Sequence, residues 1–216
     1  MRVTLWIISL MALSMMLQSS SMALEPIPDR TVVLTFDDNV RSHLNFVAPL
    51  LKEKGFGATF FVTHKWMDDP ENFLNWEEIA KLDQMGFEIG NHSWTHPGFN
   101  TPRNAAHLES ELSLVDRELS RVKIEKPITF AWTGNAFSPE ARKVLQDHGI
   151  LFARRGMQPE VPYGELNLGP LYDPTKHDPL LIPSAGDAYP NLTLDHFVSV
   201  VERAKDGKIA VCQFHG

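Results

Sequence analysis

The sequence has 216 residues, of which 43% are hydrophobic and 22% charged, a composition typical of a globular protein with a sizeable core. It contains 20 Lys and Arg residues against 27 Asp and Glu residues, for a formal net charge of -7. This acidic balance excludes nucleic acid as an expected partner, because nucleic-acid binders carry a basic stripe. The single cysteine, Cys212, excludes an internal disulfide and is expected to be buried in the core.

The amino-terminal residues have the plan of a secretory signal peptide. Arg2 supplies a positive start, residues 5–17 an apolar stretch, and residues 21–23 a cleavage site of the small-x-small type. A membrane anchor is the alternative, but the apolar stretch is shorter than the roughly 20 residues that a spanning helix needs. We therefore expect a signal peptide at 1–23 and one domain at 24–216, secreted or periplasmic, with no membrane span after cleavage.

The rest of the chain alternates β-branched or aromatic runs with stretches of helical periodicity. Because parallel neighbours need crossover helices, this alternation predicts an α/β fold with a parallel sheet. The residues alone leave an open sheet and a closed barrel as alternatives, and both place functional residues at the carboxyl ends of strands. Residues 155–179, rich in Pro and Gly, are predicted to form a long loop. The predicted strands are 31–36, 58–62, 87–90, 128–132, 150–153, 180–183 and 209–214, and the predicted helices are 44–54, 76–85, 105–122, 139–148 and 194–204.

Helix-end signals support two of these helices. Asn75 with Glu78 three residues later is a capping-box pattern. Ser138 before Pro139, with Gly149 ten residues after that proline, is typical of a helix that begins at the proline and ends before the glycine.

Two adjacent acids, Asp37 and Asp38, follow the first predicted strand, T-V-V-L-T-F. Neighbouring carboxylates repel each other, and both lose hydration if the strand end is covered. Such a pair therefore needs a cation, a metal ion or exposure to water.

Two histidines follow the third predicted strand in the run N-H-S-W-T-H-P. His92 and His96 are four residues apart, a spacing that lets both imidazoles reach one ion, although surface or capping roles are the alternative. Two His ligands and one carboxylate form a common catalytic zinc set with one open position. The acid pair then has a rationale, because one Asp binds the metal while the other remains free as a base.

The runs T-F-D-D and H-S-W-T-H-P resemble the first two motifs of the polysaccharide deacetylases, carbohydrate esterase family 4, which includes nodulation-factor chitooligosaccharide deacetylases. The resemblance extends over about residues 31–216 and implies a distorted (β/α)7 barrel. It also implies that Asp37 is the catalytic base and that Asp38, His92 and His96 bind one divalent metal. Zinc is the expected ion, with cobalt or nickel as alternatives.

The remaining motifs are less complete. A-V-C-Q-F-H resembles the last motif and implies that His215 is the general acid, against the alternative of a flexible terminal residue. Where the family commonly has an Arg that holds the catalytic Asp, this sequence has Ala131, and Arg154 or Arg155 are candidate substitutes. Trp132 is a candidate for substrate binding through an oxyanion amide, with a packed aromatic as the alternative.

The resemblance implies a metal-dependent hydrolase that removes acetyl groups from the N-acetylated sugars of a polysaccharide, with an acetylated glycan as its partner. An O-acetyl esterase, a linear amide hydrolase and an inactive carbohydrate-binding homologue are the alternatives. Asp187 is a candidate to orient His215. The family normally continues for a helix or more after the seventh strand, so a closing helix is expected beyond Gly216.

Overall fold

The computed structural model describes residues 25–157, 167–188 and 191–215. The predicted signal peptide lies outside the described residues, as does part of the predicted loop at 155–179. Strands and helices alternate along the chain, as the sequence predicts. The strands are β1 (Val32–Asp37), β2 (Thr59–Val62), β3 (Glu88–Asn91), β4 (Thr129–Ala131), β5 (Phe152–Arg154), β6 (Gly186–Ala188) and β7 (Ala210–Phe214); the helices are α1 (Ala48–Lys54), α2 (Trp76–Gln84), α3 (Pro102–Arg121), α4 (Pro139–His148) and α5 (Leu194–Glu202).

The seven strands form one parallel sheet in the order β5-β4-β3-β2-β1-β7-β6. The segment that precedes β6 links the two ends of this sheet. The Ile182 N–H donates to the Ala153 carbonyl of β5, at 2.9 Å, and the Ala185 N–H donates to the Val211 carbonyl of β7, at 2.7 Å. The sheet therefore curls into a half-barrel, which confirms the predicted distorted (β/α)7 barrel over the open alternative.

The predicted sixth strand at 180–183 is wrong. Pro179–Leu181 form a 3-10 turn, whose first turn is capped by the Asp178 carboxylate accepting from the Leu180 N–H at 2.9 Å. The strand β6 lies six residues later than predicted, at Gly186–Ala188. Leu180 and Ile182 are buried. The apolar run at 180–183 therefore packs into the core without forming a regular β-strand.

Helix ends follow the local signals closely. Asn75 and Glu78 make both hydrogen bonds of the capping box at the start of α2. Ser138 caps α4 by accepting from the Ala141 N–H at 3.2 Å, and Gly149 ends this helix with a φ of 97°. The predicted helix at 44–54 is divided, because the π-helical turn His43–Val47 precedes α1.

The hydrophobic core lies between the sheet and the surrounding helices. One cluster joins Phe36 and Phe60 of the sheet to Ile79 of α2, and another joins Phe130 to Leu108 of α3. Cys212 of β7 is buried, as predicted. Within the described ranges, no helix is long and apolar enough to cross a membrane.

Candidate active site

A cavity of about 200 Å³ opens where the carboxyl ends of several strands meet. It brings together side chains that follow β1, β3 and β7, which are far apart in the chain. Every candidate site residue named from the sequence, apart from the two candidate arginines, lines it. The lining residues are Asp37, Asp38, His92, His96, Trp132, Gly134, Asn135, Asp187, Gln213 and His215.

Three of these side chains form a compact cluster of metal-ligand type. The Nε2 atoms of His92 and His96 are 3.2 Å apart, and Asp38 Oδ1 lies 3.5 Å from the first and 3.6 Å from the second. Tetrahedral zinc with bonds of about 2.0–2.1 Å separates its ligand atoms by about 3.3 Å. Asp38 Oδ1 is buried and has no hydrogen-bond partner among the described residues. These residues therefore fit a divalent metal ion.

The backbone around the cluster aims these atoms at one point. Asp38 has a φ of 72°, in the left-handed region, and its N–H donates to the Phe61 carbonyl at 3.1 Å. His96 also has a positive φ, 58°. Such conformations are uncommon outside glycine and persist where the surroundings hold them. The turn after β1 thus directs Asp38 towards the histidines.

Burial keeps both imidazoles in the neutral form that can bind a metal. The Nδ1 atom of His92 lies 2.8 Å from the Ala131 carbonyl oxygen, so it donates there and leaves Nε2 as the lone-pair atom. Burial lowers the pKa of His92 to about 3, against an opposing effect of the Asp37 charge. Burial also lowers the pKa of His96.

Asp38 is an acid that is difficult to ionise without a cation beside it. Burial and then the charge of Asp37 raise the pKa of its carboxyl to about 7, while Arg154 acts in the opposite direction. A positive ion at the cluster would favour the ionised form. The preference of Asp38 for a neighbouring cation agrees with the Nε2 lone pair that His92 directs at the same point.

Asp37 has a different environment, because its carboxylate is paired with Arg154. The Nη2 atom of Arg154 donates to both carboxylate oxygens, at 2.6 Å to Oδ1 and with a short contact to Oδ2. The two side chains are only 1% and 3% exposed. Burial alone would raise the pKa of Asp37, but Arg154, followed by His92 and His215, holds it below its ordinary value.

The structure therefore resolves the alternatives that the sequence leaves open for this arginine. Arg154 ends β5 directly opposite Ala131 of β4, and its guanidinium lies over the Phe61 ring, 5.5 Å from the centroid. Arg155 follows the strand, and its backbone N–H donates to the Ile182 carbonyl at 2.8 Å. Arg154 thus contacts the carboxylate from the strand next to the one expected.

His215 borders the same carboxylate from β7. Its Nε2 atom lies 3.4 Å from Asp37 Oδ2, and its side chain is 42% exposed. The Nε2 of Gln213 lies 3.0 Å from the same imidazole nitrogen. Sequence reasoning missed Gln213, although its place two residues before His215 puts both on one face of the strand. Asp187 lines the cavity and accepts a hydrogen bond from Ser184 at 2.6 Å.

The oxyanion role predicted for Trp132 is not supported by its contacts. Its backbone N–H donates to the Arg154 carbonyl at 2.9 Å, because β4 and β5 continue their pairing to this residue. Its indole N–H donates to the Leu180 carbonyl at 2.9 Å, and the ring is 1% exposed. Trp132 is therefore a packed aromatic residue, and the following turn, with Gly134 and Asn135, borders the cavity.

Comparison with known proteins gives an independent context for this geometry. The sequence profile of the family described as polysaccharide deacetylase matches residues 25–153. This range includes Asp37, Asp38, His92 and His96, whereas Arg154 and His215 lie beyond it.

Individual relatives are distant. The chain is 30% identical over 95 residues to the peptidoglycan-N-acetylmuramic acid deacetylase PdaA of Bacillus subtilis. The matched region covers 44% of this chain and 34% of that protein. It is 29% identical over 99 residues to a chitin deacetylase of Pestalotiopsis, covering 43% and 30%. These matches span about a third of the relatives' length.

Among solved structures, the fold resembles the Streptococcus pyogenes deacetylase PplD in complex with acetate. The TM-score is 0.60 at 16% sequence identity, with coverage of 78% of this chain and 69% of that one. This likeness concerns the fold.

Proposed function

Because the chain belongs to the polysaccharide deacetylase family, we propose that it is a metal-dependent hydrolase that removes acetyl groups from the N-acetylated sugars of a polysaccharide. One observation carries this proposal. The ligand triangle of Asp38, His92 and His96 lies beside a second, arginine-paired carboxylate, Asp37. A binding site for a metal alone would have no need of this separate acid.

Asp38, His92 and His96 would hold the metal. Two imidazole nitrogens and one carboxylate oxygen suit zinc, and they also accept cobalt or nickel. Bound there, a divalent ion would supply Lewis acidity for the hydrolysis of an acetamide.

The other polar side chains divide the proton transfers between them. Asp37 stays ionised at neutral pH, since its pKa is lowered, and can accept a proton from a water molecule in the cavity. Arg154 fixes the orientation of this carboxylate through two hydrogen bonds. His215, with part of its imidazole exposed, can donate a proton to the departing amine.

The names of the relatives, which refer to peptidoglycan N-acetylmuramic acid and to chitin, support a glycan substrate. We propose an acetylated glycan of one of these kinds, and a secreted or periplasmic location would give the enzyme access to it. The 200 Å³ cavity, bordered by acids and histidines, has room for an acetamido group and water.

The test combines metal analysis with acetate release from chitooligosaccharides and peptidoglycan. We expect one equivalent of zinc per chain in the wild type and a large loss of affinity in His96→Ala. His107→Ala is the matched control, because it removes an exposed imidazole from α3 outside the cavity. Wild-type protein that takes up no stoichiometric zinc, cobalt or nickel would contradict the proposed metal site.

The role of Asp37 is tested separately. Asp37→Asn should keep the metal and lose activity by about 10²- to 10⁴-fold, the usual contribution of a positioned general base. Acetate release at the wild-type rate by this variant would show that Asp37 is not the base.

A further inference from the structure

The loop between the two histidines of the cluster has an unusual pattern of backbone hydrogen bonds. Its four consecutive N–H groups, from Ser93 to His96, are each accepted by a side-chain oxygen. The contacts are Ser93 N–H to Asn91 Oδ1 (2.9 Å), Trp94 N–H to Glu111 Oε2 (2.8 Å), Thr95 N–H to Glu111 Oε2 (2.6 Å) and His96 N–H to Ser93 Oγ (3.1 Å). The shape of this loop thus depends on three side chains.

Glu111 makes the largest contribution of the three. Besides the two backbone N–H groups, its carboxylate accepts from the Thr95 hydroxyl, at 2.8 Å to Oε1. Successive N–H groups that converge on one point form a concave site for an anion, and here the anion is the protein's own carboxylate. Hydrogen bonds to a charged acceptor are stronger than those between neutral groups.

The loop needs this support because of its backbone conformation. Ser93 and His96 both have positive φ, 62° and 58°, in a region that residues with a side chain rarely occupy. Relaxation of either residue would turn the His96 ring away from His92. The 3.2 Å spacing of the two Nε2 atoms depends on the loop keeping its conformation.

The helix that carries Glu111 does not depend on this contact for its own position. α3 is docked by a row of buried apolar residues, Ala105, Leu108, Leu112, Val115 and Leu119. It is also capped at its start by Thr101. Glu111 therefore connects a firmly packed helix to the backbone N–H groups of the loop. Other long-range contacts of the loop are made by Trp94, whose carbonyl accepts from the Thr63 hydroxyl at 3.3 Å and whose ring stacks on His64.

We infer that Glu111 is a positioning residue for the metal-ligand set, which holds His92 and His96 at the separation that one ion requires. This inference rests on the proposed metal site. Glu111 has no described contact with the metal-ligand atoms and acts through the backbone of Trp94 and Thr95. Its effect belongs to metal affinity and coordination geometry.

The experiment compares Glu111→Gln with Glu109→Gln. Both changes neutralise a glutamate on the same helix, but Glu109 pairs with His148 and does not contact the loop. Zinc affinity is measured by competition with a chromophoric chelator, and the visible absorption of the cobalt-loaded protein reports the coordination geometry. We expect Glu111→Gln to weaken zinc binding about 10- to 100-fold, as usual for partners of metal ligands, and to alter the cobalt spectrum. Glu109→Gln should match the wild type in both.

Three results would overturn the inference. Wild-type zinc affinity and an unchanged cobalt spectrum in Glu111→Gln would show that the loop keeps its shape without the charge. An equal loss of affinity in Glu109→Gln would show a general effect of charge on α3. Absence of metal binding by the wild type would end both this inference and the proposed metal site. A wild type that binds metal but releases no acetate would contradict only the proposed function, and the affinity comparison would still decide the role of Glu111.

Discussion

The Asp37–Arg154 pair is the least solvated ionic contact in the candidate site. Both side chains are almost fully buried, and a single guanidinium nitrogen serves both carboxylate oxygens. A buried pair of this kind adds little net stability compared with apolar residues, but removal of one partner leaves an uncompensated charge. The pair therefore fixes the direction and the ionisation of Asp37 more than it stabilises the fold.

Replacement of Arg154 tests this interpretation. Arg154→Ala should lower the free energy of unfolding by about 3–5 kcal/mol, because Asp37 loses its buried partner. In the proposed hydrolysis, the pKa of Asp37 should rise, so the acid limb of the pH–rate profile should move to higher pH. Urea unfolding and a pH–rate profile provide the measurements.

The control for Arg154 is an arginine in a half-exposed pair. Arg142 pairs with Asp178 on the surface of α4, so Arg142→Ala should cost no more than about 1 kcal/mol. Restoration of the acid limb by Ala131→Arg in the Arg154→Ala background would show that the carboxylate needs a guanidinium, whichever strand supplies it. An acid limb that stays in place in Arg154→Ala would contradict the tether.

His43 provides a second prediction at the residue scale, for the pH dependence of the free energy of unfolding. It is buried between the rings of Phe36 and Phe60, and its Nδ1 has no hydrogen-bond partner in the described part of the chain. Burial lowers its pKa from 6.5 to about 4. The unfolded chain takes up this proton near pH 6.5, while the native protein does not until about pH 4, so stability falls as the pH drops through this window.

His43→Leu should therefore flatten the loss of stability between pH 6.5 and pH 4. The contribution of one such histidine is about 3 kcal/mol over the window. Urea unfolding at pH 7 and at pH 4.5 measures it, with His107→Leu on the surface as the control. Parallel pH dependences of the wild type and His43→Leu would refute the assignment.

Much of the candidate site could be predicted at the residue scale, because its members are local in sequence. Asp37 and Asp38 are adjacent, and His92 and His96 are four residues apart, so strand ends and spacing are sufficient to group them. Arg154 could only be named as one of two alternatives, since its contact with Asp37 joins strands more than a hundred residues apart. The packing of Trp132 depends on how far β4 and β5 remain paired, which the residue type does not reveal.

At the scale of elements, β3 contains a glycine that the barrel interior requires. A Cβ atom at Gly90 would lie 2.4 Å from the Phe61 ring and 2.8 Å from the Thr129 hydroxyl. The side chains of the neighbouring strands β2 and β4 occupy the space that Gly90 leaves. The ring of Phe61 in turn lies under the Arg154 guanidinium, so this packing extends to the site.

Gly90→Ala should destabilise the protein by about 1–3 kcal/mol, the usual cost of overpacking a core. Gly57→Ala is the matched control, because Gly57 is exposed and a Cβ there would meet no atom within 4 Å. We expect this control to be neutral or slightly stabilising. Thermal unfolding of both variants gives the comparison, and equal midpoints would show that β2 and β4 can move apart without cost.

The elements that the sequence predicts best are those with strong local signals. α4 begins and ends where its cap residues indicate, at Pro139 and His148. The predicted sixth strand is misplaced, since Pro179 and the Asp178 cap place the start of the apolar run in the 3-10 turn Pro179–Leu181. The choice between a sheet and a barrel depends on the contact of Ile182 with β5, which no periodicity encodes.

At the scale of the whole molecule, stability rests on the core without covalent cross-links. The one cysteine is 2% exposed within β7, and burial raises the pKa of its thiol to about 12. A thiol in this state reacts only when the strand opens, because the thiolate is the nucleophile. Its reactivity therefore reports the opening of the central sheet.

Cys212 should react slowly with a disulfide reagent in the native protein and completely in urea, at one thiol per chain. Addition of a reductant should leave the thermal midpoint unchanged, because no internal disulfide exists. Absorbance of the released thiolate follows the reaction. Rapid labelling under native conditions would indicate that β7 separates from β1 well below the global unfolding free energy.

The register between β4 and β5 has a consequence for how protein families are sorted. Ala131 and Arg154 are direct partners across the ladder, and paired residues of neighbouring strands point to the same face about 5 Å apart. A long cationic side chain from either position can reach one shared carboxylate. An alignment column at position 131 alone would record only the loss of the arginine that the family commonly has there. The contact of Arg154 with Asp37 shows that a guanidinium still reaches the carboxylate, so sequences of this kind are better sorted by which side chains meet in space than by single columns.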